Sequence, residues 1–327
     1  MWKYVGKRLL QMIPILFAVS IIVFFLLSYS PGDPAKLILG MNATEEQLTQ
    51  LRAELGLDKP VPVQYFNYMK NLLKGDLGTS YTTKLKVSDM IKIRLPITMT
   101  LAFGGLILIY IIGVPLGILL AVKQNSIFDN VARVLSLIMA AMPQFWLGLL
   151  LMLLFSVKLH WLPSNGFETP LHWIMPMLCY AVQGWATRSR LSRACLLDVI
   201  RQDYIRTARA KGLSERTVIY KHALKNALLP LVTSFGMEIG ECFGGAVVIE
   251  QLFGINGIGK MLLSALRQKD IPTIMSGVLI TAVLIALSNL LVDIVYAFID
   301  PRVRSMYISG NKRMKKAMSK GAVASEA

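Results

Sequence analysis

Six stretches of this chain stay apolar for roughly the 20 residues that a helix needs to cross a bilayer core. They lie at 9–28, 97–122, 134–157, 171–187, 226–249 and 271–299. The first three carry no charged side chain. The stretch at 171–187 is the weakest, being short and holding His172 and Gln183. The fifth carries Glu238 and Glu241, and the sixth carries Asp293. No small-residue cleavage site follows the first run, so it reads as a retained anchor rather than a signal peptide.

The segment 32–96 between the first two runs has its own helical punctuation. Thr44-Glu45-Glu46-Gln47 reads as a capping box, opening a helix that runs to Leu55 and stops at a left-handed Gly56. Asp58-Lys59-Pro60 reads as a turn. Val63, Phe66, Met69, Leu72 and Leu73 then recur at helical spacing up to Gly75. A small helical cap is expected, serving either as a docking surface for a soluble partner or as a lid over the span ends.

Composition agrees with a membrane protein: 54% of the 327 residues are hydrophobic, only 17% are charged, and the mean hydropathy is +0.55. The net charge of +16 raises the question of nucleic acid, and its placement answers it. With both termini inside, the inner segments hold 22 of the 35 basic residues and the short outer loops hold 4. That asymmetry follows the positive-inside rule and sets the orientation. The N-terminus, the loop 188–225 and the tail together contribute +15, which fits topology and attraction to anionic membrane lipid. No nucleic-acid-reading module accompanies the charge, so no nucleic-acid partner is expected. Cys179, Cys195 and Cys242 have no metal-site spacing, and two of them lie in apolar runs, so no disulfide framework is expected.

Residues 254–261, GINGIGKM, come within one residue of a nucleotide-binding loop. Such a loop needs a preceding strand, a following helix and a Ser or Thr after the lysine. Here a membrane helix precedes and Met261 follows Lys260. Gly254, Gly257 and Gly259 read instead as a tight re-entry turn with positive φ. If ATP drives this protein, a partner binds it.

Glu238 and Glu241 stand three apart, on one face of the fifth span. Charge at mid-membrane is costly and marks a water-filled path or a partner. One reading has both acids lining a translocation path that favours cationic groups; the other has them paired with a partner chain's base or protonated. Asn289 and Asp293, one turn apart, read as a helix–helix hydrogen-bonding pair. Met142-Pro143, before Trp146, marks a kink that serves as a gate or as a packing feature. His160 and His172 lack a third ligand at metal spacing, so no metal site is expected.

Residues 203–230, DYIRTARAKGLSERTVIYKHALKNALLP, form a helix, a break at Gly212 and a second helix capped by Ser214 that runs into the fifth span. A short amphipathic helix held between two spans is a lever: pushing it moves both. Here the chain resembles the permease subunits of bacterial ABC importers, specifically the first permease of the dipeptide, oligopeptide and nickel branch. The matching pieces are PGDP at 31–34, ELGLDKPVPVQY at 54–65, GDLGTSY at 75–81, MPQFWLGLLLMLLFSVKL at 142–159, DYIRTARAKGL at 203–213, KHALKNALLP at 221–230, GGAVVIEQLFGINGIG at 244–259 and NLLVDIVYAFIDPRVR at 289–304.

The resemblance implies a cytoplasmic loop that docks on an ATPase subunit. Of the wider family's EAA-x₃-G pattern, the Gly falls on Gly212 and the EAA positions on Arg206, Thr207 and Ala208, where only Ala208 matches; the later Pro position falls on Lys225. The coupling residues implied are Tyr204, Arg206, Ala208, Arg209, Lys211, Gly212, Leu213 and Ser214. The translocation-path candidates are Glu238, Glu241, Met142 and Trp146.

The expectation is an all-α polytopic membrane protein with six transmembrane helices and an external helical cap, of the type I ABC importer permease kind. The N-terminus and first span take 1–31, the cap takes 32–96, and a five-span core takes 97–327, including the coupling loop 188–225 and a basic tail 300–327. The expected place is the bacterial inner membrane, with both termini cytoplasmic. The expected role is the permease of an ATP-driven importer of di- or oligopeptides. Its implied partners are a second permease, two cytoplasmic ATPase subunits that bind ATP and Mg²⁺, and an extracytoplasmic substrate-binding protein. The chain itself has no nucleophile–base constellation and is expected to bind no cofactor and catalyse nothing. The alternatives are a nickel or metal-chelate importer of the same family and an ion-gradient-driven secondary transporter.

Overall fold

A computed structural model describes residues 2–40 and 42–299, apart from some side chains near the N-terminus, around 241–245 and beyond 292. The basic tail expected at 300–327 lies outside the described residues. Those residues are almost wholly helical, and the one strand-like feature among them is an isolated bridge between Thr79 and Lys86.

The first long helix, α1 (Trp2–Tyr29), leads to a cap of α2 (Pro34–Leu39), α3 (Glu45–Glu54) and α4 (Val61–Leu73). The core follows as α5 (Val87–Val122), α6 (Ile127–Ala141), α7 (Gln144–Leu151, continuing as a π-helical turn Met152–Lys158) and α8 (Pro170–Ile200). Next come α9 (Asp203–Ala210), α10 (Glu215–Thr217, continuing as a π-helical turn Val218–Ala223) and α11 (Leu224–Ala227). The described residues close with α12 (Leu229–Leu252), α13 (Ile258–Gln268) and α14 (Ile271–Ile299).

Among the described residues, three unbroken stretches are long and apolar enough to cross a membrane: Arg8–Tyr29, Val87–Val122 and Ile271–Val292. Two more crossings require bent pairs. The run at 134–157 bends where the kink was expected, at Met142-Pro143, and sharply enough that α6 and the α7 segment meet at 105°. The cause is local: Pro143 has no amide hydrogen and Met142 is extended (ψ 128°). The run 171–187 lies within α8, which carries on past it through Arg188, Arg190 and Arg193 to Ile200. The basic segment expected to be loop from 188 onward is therefore helix as far as Ile200.

α5 and α8 form the closest helix pair, and glycine explains how. A Cβ on Gly117 would sit 2.3 Å from the Ser189 carbonyl, and one on Gly113 would sit 3.0 Å from the Trp185 backbone. Small residues let membrane helices approach to backbone contact, where packing rather than water-driven burial supplies the attraction. Leu101, Met175, Cys179, Ala246, Ile249 and Phe253 then close a core between α5, α8 and α12.

The cap follows its local signals. Thr44 and Gln47 exchange both capping-box bonds, at 3.0 and 3.3 Å, and Gly56 takes φ +69°. The packed face of α4 differs from the expected one. Tyr65 and Tyr68 meet Phe24 of α1, at 5.3 and 6.4 Å between ring centroids, while Val63, Phe66 and Leu73 are exposed. Both stripes have helical spacing, so periodicity alone does not choose between them. The segment after α4 is pinned by Asp270, which is buried and accepts from Ser80 Oγ (2.5 Å), Tyr81 N (3.0 Å) and Thr273 Oγ1 (2.9 Å). Cap and α9 stand at opposite ends of the bundle, since α5 begins beside one and ends beside the other.

Candidate functional site

At the end opposite the cap, α9 is bolted to the bundle by its apolar face. Ile205 and Ala208, three apart, are buried against Ala121 of α5, Leu196 and Leu197 of α8, and Val218, Ile219 and Ala223 of the following turn. Of the implied coupling residues, Ala208 thus faces its own chain. Tyr204, Arg206, Arg209, Lys211, Gly212, Leu213 and Ser214 are exposed.

Gly212 ends the helix at φ +77° with open space around its missing Cβ, so the requirement there is conformational. Ser214 caps the next turn through Thr217 N. Across the break, Arg209 donates twice to Glu215, at 2.6 and 3.1 Å. The Arg209 hydrogen bond, more than the opposing effect of burial, holds the Glu215 carboxyl below its usual value. Asn226 Nδ2 donates to the Tyr204 hydroxyl at 2.8 Å, tying α9 to α11 and so to the start of α12. A second brace lies alongside: Arg193 of α8 grips the fully buried Asp129 of α6 with two bonds, at 2.8 and 2.7 Å. Through these contacts α9 is joined directly to α5, α8 and α11, and through α8 to α6.

Among the helices, a cavity of about 340 Å³ is lined by Gln144 of α7, by Tyr180, Gln183, Thr187 and Arg188 of α8, and by Glu238 of α12. Glu238 is paired within its own chain: Arg188 Nε donates to Oε1 at 2.8 Å, and Nη2 donates to the same oxygen. Glu238 therefore lines a polar cavity and finds its base, Arg188, within its own chain, where one reading looked to a partner chain. The second oxygen, Oε2, is buried and has no hydrogen bond among the described residues, and neither has the nearby Tyr110 hydroxyl. The Glu241 and Asp293 side chains lie outside the described ones. Asn289 lies against Gly240 of α12.

Met142 and Trp146 flank the break. The Met142 carbonyl, turned out of the helix by the extended backbone ahead of Pro143, accepts from Gln183 Nε2, and the Gln144 carbonyl accepts from Cys179 Sγ at 3.2 Å. Backbone freed inside a membrane must be satisfied by neighbouring helices, so the polar residue that weakened the 171–187 run has a structural task. Trp146 is 42% exposed.

The glycine-rich turn holds a carboxyl group, and that group comes from its own chain. Buried Glu250 accepts from Thr98 Oγ1 at 2.6 Å and from Lys260 N, in the first turn of α13, at 2.9 Å. Thr98 Oγ1 in turn accepts from Ile258 N at 2.8 Å. A helix N-terminus favours negative charge. Only Gly254 takes a positive φ, +69°. Gly257 and Gly259 are small for contact, since a Cβ there would lie 2.1 Å from the Glu250 carboxylate and 2.7 Å from Val247 Cα. The expectation of three left-handed glycines is corrected accordingly. Sequence reading missed Glu250, whose partners lie up to 152 positions away.

Residues 113–305 match the family described as the inner membrane component of binding-protein-dependent transport systems, and residues 1–102 match the N-terminal membrane component of such systems. The chain is 41% identical over 304 residues to the glutathione transport system permease protein GsiC of Pectobacterium atrosepticum. It is 40% identical over the same length to the proteins of that name from Escherichia coli and Salmonella choleraesuis. Each match covers 93% of this chain and 99% of the relative. With an all-helical membrane fold and relatives matched from end to end, the chain belongs to the family of inner membrane permease components of binding-protein-dependent transport systems.

Proposed function

We propose that this chain is the permease subunit of an ATP-driven importer of small peptides, glutathione among them, and that it forms half of a pore with a second permease. The observation that carries the reading is α9: a short helix with one face buried in four other elements of the bundle and the other face open, as a grip must be. Two ATPase subunits bind ATP and Mg²⁺ and hold that open face. Their closure shifts the population of pore conformations. The chain takes no cofactor and breaks no covalent bond.

The distribution of basic residues favours a cytosolic position for α9 and both termini. The cap then faces outward, where a substrate-binding protein delivers its load. The peptide class rests on the relatives' names, and the polar cavity at Arg188 and Glu238 is chemically suited to it. The test is purification through a tag on this chain from native membranes, followed by uptake into vesicles. Two ATPase chains and a second permease should co-purify, and uptake of glutathione or trialanine should require internal ATP. Isolation of the chain alone, with uptake driven by an ion gradient, would contradict the reading.

A further inference from the structure

The Arg188–Glu238 pair closes on itself, yet it is incompletely satisfied. Both guanidinium bonds go to one carboxylate oxygen, while the other is buried without a hydrogen bond among the described residues. Around the pair stand groups able to donate or accept: Gln144, Gln183 and Thr187 line the same cavity, and the Tyr110 hydroxyl lies beside Glu238. The volume of about 340 Å³ falls in the roughly 300–1,000 Å³ range of small-molecule sites.

We propose that this cavity is a binding site for the two termini of a zwitterionic peptide, which enters by replacing the Arg188–Glu238 pair. The substrate carboxylate takes the Arg188 guanidinium, and the released Glu238 carboxylate accepts from the substrate ammonium. The inference rests on the reading of the chain as a peptide importer and names the groups that handle the cargo.

The electrostatics select the ligand class. Breaking a buried ion pair strands two charges, and removing one partner alone is strongly unfavourable because the other remains uncompensated. A cation could satisfy Glu238 only by orphaning Arg188, and an anion could do the reverse. A zwitterion compensates both at once and leaves the cavity's net charge unchanged. Its ammonium also supplies a donor for the empty Oε2. The site therefore discriminates by the presence of both charges, not by side-chain identity, as a pathway serving varied peptides requires. The pair remains as the resting, self-neutralised state when no peptide is present.

The experiment measures direct binding of tritiated trialanine to the intact importer complex in nanodiscs, without the soluble receptor. Its N-acetyl and C-amide forms serve as competitors. Unmodified trialanine should compete at least about tenfold better than either masked form, as expected for loss of a charged hydrogen bond. Arg188→Gln should abolish the preference for a free carboxylate, and Glu238→Gln the preference for a free amine, while Arg188→Lys should keep both preferences. Equal competition by free and masked peptides on the unsubstituted complex would overturn the proposal, and that result needs no variant to fold. So would absence of trialanine binding in a complex that performs ATP-driven trialanine uptake; in that case the importer reading stands and this inference fails. If the complex takes up no peptide in the presence of ATP and receptor, both fail together.

Discussion

Gln183 of α8 donates its side-chain amide to the carbonyl of Met142, the residue at which the α6–α7 segment breaks. The two stand 41 positions apart, and each is odd by itself: a glutamine in an apolar run and an X-Pro step in the middle of another. Together they make one joint, in which the extended step ahead of a proline turns a carbonyl out of the helix and a neighbouring helix satisfies it. Gln183 also lines the charged cavity, so the joint and the proposed cargo site share a wall.

Replacing Gln183 by Leu should therefore destabilise the complex although it raises the hydropathy of the run. A buried carbonyl left without a donor costs about 1–3 kcal/mol. Thermal unfolding of the detergent-solubilised complex should show a lower midpoint for Gln183→Leu and a smaller loss for Gln183→Asn. An unchanged midpoint for Gln183→Leu would remove the joint from the account.

The three glycines of the turn at 254–259 should respond unequally. Gly254→Ala meets no closer neighbour than 3.5 Å and carries only the left-handed backbone penalty, about 1 kcal/mol. Gly257→Ala drives a methyl into the Glu250 carboxylate, displacing it from Thr98 and Lys260 N. The same unfolding measurement should rank Gly257→Ala as the more damaging by several degrees. The reverse order would contradict the carboxylate-filled turn.

The buried and exposed faces of α9 should give different defects. Ile205 is completely buried, and truncating such a residue to Ala costs about 2–5 kcal/mol. Ile205→Ala should loosen the lever from the bundle while leaving its open face in place. The ATPase subunits should still co-purify and hydrolyse ATP, and uptake should fall. Arg206→Ala on the open face should instead weaken ATPase retention during purification. If both variants lose the ATPase equally, the division of labour between the faces is wrong.

The link across Gly212 should depend on acidity. Glu215 has its folded carboxyl lowered from the ordinary 4.5 by Arg209, so its contribution is complete above about pH 4.5 and is lost as pH falls through the lower folded value. Limited proteolysis across 203–217 should be unchanged between pH 8 and 5 (roughly the range where the carboxyl stays ionised) and should accelerate below. Arg209→Gln should be susceptible already at neutral pH. Equal resistance in the two proteins at neutral pH would mean that the pair is incidental.

Much of this architecture was legible in local pattern. The capping box at Thr44–Gln47, the stops at Gly56 and Gly212, the Ser214 cap and the long apolar runs are set by residues within a few positions of one another. The joint at Met142, the Glu250-filled turn, the Asp270 anchor and the Arg188–Glu238 pair were not legible. Each is a contact between distant segments, and Gln183 and Glu238 look locally like flaws in apolar runs. The face of α4 that packs was hidden for a different reason, since two stripes on one helix share the same period and only the position of Phe24 selects Tyr65 and Tyr68. Once a polar residue within a span is treated as a demand for a partner, Gln183 and Glu238 become signals in place of blemishes.

On the proposed function, the open face of α9 lies in the cytosol and is held there by the ATPase. A single cysteine at Arg206, in a chain whose half-buried Cys195 is replaced by serine, tests it directly. A membrane-impermeant maleimide should label that position in inside-out vesicles and not in right-side-out ones, and bound ATPase should protect it. Labelling in right-side-out vesicles, or labelling indifferent to the ATPase, would contradict the account.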